Sequence, residues 1–168
     1  KNLHVAIKSL ETNFSIRNLP SVKIFHLYIP RIDENILSPL FDQLQNIEEL
    51  SLHGDLNYFN LDNLVNLRRL CLGCHLEEDF NFELFKNLSY QLEDLFFINL
   101  KQIDYETVFF KLLNDRTFSN LKFLYMRGCN IRRIEKKFID KFPRLVKCRI
   151  TNCYIEIVEA YAFSDLKE

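Results

Sequence analysis

The sequence predicts an α/β fold in which short parallel strands alternate with returning segments and stack as a solenoid. Residues 121–134 and 145–158 carry the same apolar pattern, offset by 24 residues. Shorter forms of this pattern recur along the chain, which is typical of repeat folds. Gly (3) and Pro (4) are scarce in 168 residues, which argues against a sandwich of many tight turns. We expect a single domain over residues 1–168, belonging to a longer protein and lacking both caps, because the chain opens at Lys1 and stops just before another repeat.

The two clearest copies of the pattern lie near the end of the chain. With x for any residue, they read Leu121-x-x-Leu124-x-Met126-x-x-Cys129-x-Ile131-x-x-Ile134 and Leu145-x-x-Cys148-x-Ile150-x-x-Cys153-x-Ile155-x-x-Val158. The pattern resembles the leucine-rich repeat, L-x-x-L-x-L-x-x-(N/C)-x-L. This resemblance implies a curved leucine-rich repeat solenoid with about seven parallel strands on its concave face. The returning segments on the convex side would be helical or extended.

Seven strands follow from the register of the pattern, numbered from the first apolar residue of each copy as position 0. Because side chains alternate across a strand, positions 3 and 5 are predicted to enter the core while positions 2, 4 and 6 face solvent. The predicted core pairs are Leu3 and Val5, Phe25 and Leu27, Leu50 and Leu52, Leu70 and Leu72, Leu95 and Phe97, Leu124 and Met126, and Cys148 and Ile150. From Val22 to Leu145 the copies start 25, 20, 25, 29 and 24 residues apart.

The returning segments differ in predicted structure. Ile36–Leu44 and Tyr105–Leu113 have helical periodicity and predict short helices. The repeat over Ile47–Asn66 has only 20 residues, so we expect an extended or 3₁₀ return there.

Several large or charged side chains occupy positions that this register turns toward solvent. The candidate partner-binding residues are Tyr28, Phe96, Ile98, Phe123, Tyr125, Arg127, Lys147 and Arg149. Exposed aromatic residues beside arginine are typical of interface hot spots. The alternatives are that the long return over residues 100–117 folds over these side chains and covers them, or that the chain simply tolerates them at exposed positions.

Charge is distributed unevenly along the chain. Residues 1–84 hold 7 Lys/Arg against 12 Asp/Glu, net −5, whereas residues 85–168 hold 15 against 11, net +4. The basic stretch Arg132–Arg144 is expected on the convex side as a solvated face, with an acidic partner or an anionic membrane surface as the alternative. The near-neutral total charge of −1 predicts no nucleic acid partner. No run of about 18 apolar residues occurs, so we expect no membrane insertion.

One cysteine motif gives the strongest alternative to a binding scaffold, namely a haem or zinc site. Cys71-Leu-Gly-Cys74-His75 matches the haem attachment motif C-x-x-C-H, yet a flat sheet gives haem no pocket. A zinc ion there would need a fourth ligand, for which His53 is the nearby candidate. We therefore expect no cofactor and no metal. Without a G-x-S-x-G, H-E-x-x-H, phosphate-loop or paired-carboxylate pattern, an enzyme is not expected either.

Cys129 and Cys153 share position 8 of the last two repeats. Stacked one coil apart, their Cα atoms would fall within disulfide range. Because stacked side chains run parallel and do not converge, we expect a structural ladder of thiols that satisfies backbone groups at the bend.

The resemblance implies recognition of a protein ligand on the concave face. The last two repeats are similar to those of extracellular receptors of the Toll-like or cell-adhesion sort, which predicts a cell-surface protein. The alternative is a cytoplasmic adaptor similar to F-box leucine-rich repeat proteins that hold ubiquitination substrates. The cysteines at position 8 and the longer, more helical repeats favour the cytoplasmic adaptor. Glycosylation sequons at Asn13 and Asn87 give weak support for secretion.

Overall fold

The computed structural model describes residues 2–6, 21–31, 40–55, 61–75, 85–99, 116–136 and 138–164. These residues contain short strands joined by turns and brief helices. The strands are β1 (Asn2–Ala6), β2 (Ile24–Arg31), β3 (Glu49–Asp55), β4 (Arg69–His75), β5 (Asp94–Ile98), β6 (Phe123–Arg127), β7 (Asn130–Ile134), β8 (Lys147–Thr151) and β9 (Tyr154–Val158).

One parallel sheet contains seven of these strands, in the order β1-β2-β3-β4-β5-β6-β8. Each strand therefore pairs with the strand of the next repeat, and equal positions of the repeat lie opposite each other. At position 4, for example, Cys71 lies opposite Phe96, and Phe96 lies opposite Tyr125. The pairing confirms the seven predicted parallel strands and their register. With its short helices, the described part of the chain has an α/β fold dominated by this sheet.

A second, two-stranded parallel sheet pairs β7 with β9, and the sequence did not predict it. Ile131 lies opposite Ile155 in this pair. The two strands begin just after a bend at position 7, where Gly128 has φ 64° and Asn152 has φ 53°. Glycine and asparagine adopt this left-handed conformation more readily than other residues. The chain changes direction at this bend, and the backbone is extended again after it.

The core lies on the inner face of the large sheet and is built as the register predicts. The described side chains at positions 3 and 5 are fully buried from β2 to β6. Cys148 and Ile150, predicted as core, are only partly buried. They belong to β8, which is an edge strand of the sheet, so one side of each lacks a neighbouring coil.

The returning segments close the core with apolar residues and tight turns. Helical turns occur at residues 40–43 and Phe85–Leu88, and a 3₁₀ turn spans Phe138–Lys141. Phe118 connects two returns, since its ring centroid lies 6.2 Å from that of Phe85 and 5.8 Å from that of Phe142. In the shortest repeat, residues 61–67 make two successive four-residue turns, closed by hydrogen bonds from Leu64 N to Leu61 O and from Leu67 N to Leu64 O, and no helix.

The two predicted helices are only partly covered by the described residues. Of Ile36–Leu44, the described part is helical at residues 40–43. Tyr105–Leu113 lies outside the described residues, as does most of the 100–117 return that was considered as a cover for the outer face.

Candidate functional site

Three aromatic rings meet on the outer face of the sheet, at Phe96 on β5 and at Phe123 and Tyr125 on β6. The Phe96 centroid lies 5.4 Å from that of Phe123 and 6.0 Å from that of Tyr125, with both ring pairs close to perpendicular. Phe123 and Tyr125 are stacked with centroids 6.2 Å apart and planes 7° apart. We call these three residues the aromatic cluster. All three side chains are half-buried, because they pack on one another.

Two cations of β8 lie over rings of the aromatic cluster. Lys147 Nζ is 5.7 Å from the Phe123 centroid, and Arg149 Cζ is 5.8 Å from the Tyr125 centroid. The geometry follows from the register, since Phe123 lies opposite Lys147 and Tyr125 lies opposite Arg149. Both distances are within the range of cation–π attraction. The Tyr125 hydroxyl is also 3.3 Å from Thr151 Oγ1, in a hydrogen bond that fixes its ring.

The remaining candidate residues fall in two places. Ile98 and Arg127 lie opposite each other and extend the cluster toward the ends of their strands, with Arg127 exposed. Tyr28 is separated from the cluster by strands β3 and β4. It is 59% exposed and stacks on His53, with ring centroids 6.2 Å apart. The structure thus brings together seven of the eight candidate residues and leaves Tyr28 apart.

Opposite charges also alternate from repeat to repeat, in two rows. The first charge row lies at position 1 and contains Lys23, Glu48, Arg68, Glu93 and Lys122. Lys23 Nζ is 2.6 Å from Glu48 Oε1. Glu93 binds cations on both sides, at 2.6 Å from Lys122 Nζ and 3.3 Å from Arg68 Nη1. The Lys23 and Lys122 ammonium groups, by hydrogen bond and charge, hold the pKa of Glu48 and of Glu93 below their usual value.

The second charge row lies at position 2 and is centred on Arg69. Its Nη1 is 2.8 Å from Glu49 Oε2, and its Nε is 2.8 Å from Asp94 Oδ2. These contacts raise the pKa of Arg69, with the hydrogen bond to Asp94 as the main cause. Both rows were missed from the sequence, although the alternating signs at positions 1 and 2 are visible there. Glu49 on β3, Arg69 on β4 and Asp94 on β5 therefore satisfy one another.

A second polar group on the outer face contains Ser51, His53 and Cys71. Ser51 was expected to face solvent at position 4, but it is only 5% exposed. Its Oγ is 2.9 Å from His53 Nε2. The histidine ring lies against Gly73, and an added Cβ there would be 2.1 Å from Nδ1. Because Gly73 leaves this space empty, the ring folds over the sheet and the small hydroxyl is buried.

This polar group is poorly suited to catalysis. Burial, and then the charge of His26, lower the pKa of His53, which is therefore neutral near pH 7. Burial raises the pKa of the Cys71 thiol, so it stays protonated and is a weak nucleophile. The Ser51 hydroxyl is too deeply buried to reach a substrate.

The position-8 cysteines form the expected thiol ladder. Cys129 Sγ contacts the carbonyls of Phe97 at 3.6 Å and Arg127 at 3.5 Å. Cys153 Sγ accepts from the Cys129 amide at 3.4 Å. Neither Cys129 nor Cys153 is in a disulfide bond. They satisfy backbone groups where each strand ends.

The C-x-x-C-H sequence lies within strand β4, and Cys71 is a free thiol. The side chains of Cys74 and His75 are outside what the structure describes. Within the described ranges, no three His, Cys, Asp or Glu side chains are grouped so as to hold a metal ion.

Helices that could cross a membrane are missing from the described residues. Comparison of the chain with protein-family models and with curated protein sequences returns no match.

Proposed function

We propose that the chain is a leucine-rich repeat solenoid that recognises a protein partner on the outer, solvent-facing side of its large sheet. In such a solenoid this side of the sheet is the concave one. The pattern L-x-x-L-x-L-x-x-(N/C)-x-L, together with in-register pairing of every successive repeat, supports this assignment. Parallel strands about 4.8 Å apart on one side and wider returning segments on the other curve such an array. The role is binding, without catalysis.

The observation that carries this proposal is the aromatic cluster. Phe96, Phe123 and Tyr125 are large rings on the outer face, where the fold does not require apolar side chains. Their mutual contacts fix them before a partner arrives, which reduces the entropy lost on binding. Elsewhere on this face the described charged residues of β3 and β4 are paired, which makes them weaker contributors to binding.

We place the protein at the cell surface, as a receptor or adhesion protein, on the resemblance of its last two repeats to extracellular ones. A second candidate is a cytoplasmic adaptor of the F-box type. One observation favours the adaptor: none of Cys71, Cys129, Cys148 and Cys153 is in a disulfide bond. Free thiols are typical of reducing compartments. Flanking sequence separates the two, with a signal peptide and cysteine-rich caps for the first and an F-box for the second.

The test is selection of a displayed random peptide library on the wild-type protein and, in parallel, on Phe96→Ala/Tyr125→Ala. Peptides enriched on the wild type are expected to bind the double variant at least about 30-fold more weakly, corresponding to a loss of about 2 kcal/mol. Equal binding to both proteins would exclude the aromatic cluster as the recognition site.

The control is a matched pair of exposed aromatic residues away from the cluster. Tyr90→Ala/Tyr154→Ala removes two side chains that are 67% and 62% exposed. This variant should retain peptide binding. Circular dichroism and the melting temperature of both variants show whether each keeps the wild-type fold.

A further inference from the structure

The cations beside the aromatic cluster differ from those of the two charge rows. Arg127, Lys147 and Arg149 are exposed, and none forms an ion pair with any residue that the structure describes. In the charge rows, by contrast, Arg69 holds two carboxylates at 2.8 Å. Among the described residues, these three positive charges on adjacent strands β6 and β8 therefore have no carboxylate partner.

Two described carboxylates beside the aromatic cluster, those of Asp94 and Glu93, are already engaged. Asp94 lies opposite Phe123 and is bound to Arg69 at 2.8 Å. Glu93 is bound at 2.6 Å to Lys122. Since exposed charges are screened beyond about 8–10 Å at physiological salt, these neutralised pairs do little to offset the field of the three cations.

Contact with the rings positions two of these cations without cancelling their charge. The distances of 5.7 Å for Lys147 and 5.8 Å for Arg149 hold each head group beside the cluster. An aromatic ring attracts a cation through its quadrupole but carries no net charge. The N–H donors of both side chains remain available to an anion. Arg149 in particular can bind a carboxylate through two parallel hydrogen bonds.

We infer that this surface binds an acidic peptide segment of the partner, with an apolar or aromatic anchor side chain on the aromatic cluster and carboxylates on Arg127, Lys147 and Arg149. This inference rests on the proposed function and names the chemistry of its partner. The partner segment must offer both an anchor side chain and carboxylates, because the rings and the cations lie side by side in one small area.

A single-stranded nucleic acid, the main competitor, fits the same area less well. Bases bind by stacking on open ring faces, but one face of Phe123 and one of Tyr125 already carry a cation. A phosphate backbone also needs an extended basic track. Among the described residues, the basic area is bounded on the β5 side by the carboxylates of the second charge row, Glu49 and Asp94.

The experiment analyses the charge of the peptides selected in the library described above. Peptides whose binding depends on Phe96 and Tyr125 are expected to be enriched in Asp and Glu near an apolar or aromatic residue. Their affinity should fall at least about tenfold for Lys147→Glu/Arg149→Glu and by a smaller factor for Lys147→Met/Arg149→Met. The methionine variant keeps the apolar stems that cover the rings, so its effect reports lost charge.

Lys86→Glu is the matched control for charge reversal. Lys86 is exposed on the Phe85–Leu88 helical turn, away from the outer face of the sheet. Its reversal should change peptide affinity by no more than about twofold. A thymidine oligonucleotide serves as the competitor and should not displace the acidic peptides.

The contrary outcomes separate failure of the acidic partner from failure of the proposed function. Cluster-dependent peptides that are neutral or basic, or that still bind Lys147→Glu/Arg149→Glu, would overturn the acidic partner and leave the proposed function standing. Displacement by the oligonucleotide would replace the peptide with a nucleic acid. If no enriched peptide depends on Phe96 and Tyr125, both this inference and the proposed function fail.

Discussion

His53 lies over Gly73 so closely that an added Cβ would be 2.1 Å from its Nδ1. The hydrogen bond between this histidine and Ser51, at 2.9 Å, depends on the same ring position. We expect Gly73→Ala to cost about 1–3 kcal/mol of unfolding free energy, because the ring must move. Urea denaturation measures this cost. In His53→Ala/Gly73→Ala the ring is absent, so the double variant should lose at least about 0.5 kcal/mol less than the two single changes combined. Strict additivity would mean that the contact is unimportant.

The pKa of His53 predicts loss of stability in mild acid. Burial lowers this pKa in the folded protein, whereas the unfolded chain binds a proton near the ordinary value of about 6.5. Protonation therefore favours unfolding as pH falls through about 6.5. The loss at about pH 5.5 is at most about 1.4 kcal/mol.

The measurement compares His53→Gln with the wild type by denaturation near pH 7.5 and pH 5.5. The wild type should lose more stability on acidification than the variant. Glu48 and Glu93 have lowered pKa values and stay ionised at pH 5.5, so they do not disturb the comparison. The same pH dependence in both proteins would assign the effect to another group.

Removal of Arg69 tests the second charge row. Arg69→Met leaves Glu49 and Asp94 without their shared cation and should cost about 1 kcal/mol, since each exposed pair contributes little. In about 1 M salt the cost should shrink, because screening weakens the lost attractions. Arg144→Met is the control, as Arg144 donates to the neutral Asn120 amide. A cost that is independent of salt would indicate lost packing.

Leu124 tests the register of the core. It is fully buried at position 3 of β6, so Leu124→Ala should cost about 2–5 kcal/mol. Val146, 74% exposed at position 1 of the last repeat, just before β8, supplies the comparison: Val146→Ala should stay within about 0.5 kcal/mol of the wild type. Chemical denaturation of both variants decides the matter, and a near-neutral Leu124→Ala would place this residue outside the core.

The sequence predicted the strands well because one apolar period governs them. The residues at positions 3 and 5 are apolar because their side chains are buried, so these two positions located core residues from Phe25 to Met126. Cys148 fell short of full burial for a reason that no local pattern contains, namely that β8 has a neighbour on one side only. The β7–β9 pair was missed because Asn130–Ile134 has no two-residue alternation.

The outer face was only partly predictable. Register alone brought Phe96, Phe123 and Tyr125 together, because equal positions become neighbours across strands. Which cations are available to a partner could not be read from register, since that depends on side-chain contacts. Ser51 was predicted to face solvent. It is buried because the ring of His53 packs over it, and the repeat pattern does not specify that contact.

The alternation of charge in the first row also limits how the repeats can be rearranged. Deleting the repeat that carries β4 would set Glu48 against Glu93 and, in the second row, Glu49 against Asp94. Deleting the repeats of β3 and β4 together would set Lys23 against Glu93 and keep opposite signs adjacent. In a redesign, loss or duplication of a single coil here is therefore expected to bring like charges together, whereas loss or duplication of two coils keeps opposite signs adjacent in the first row.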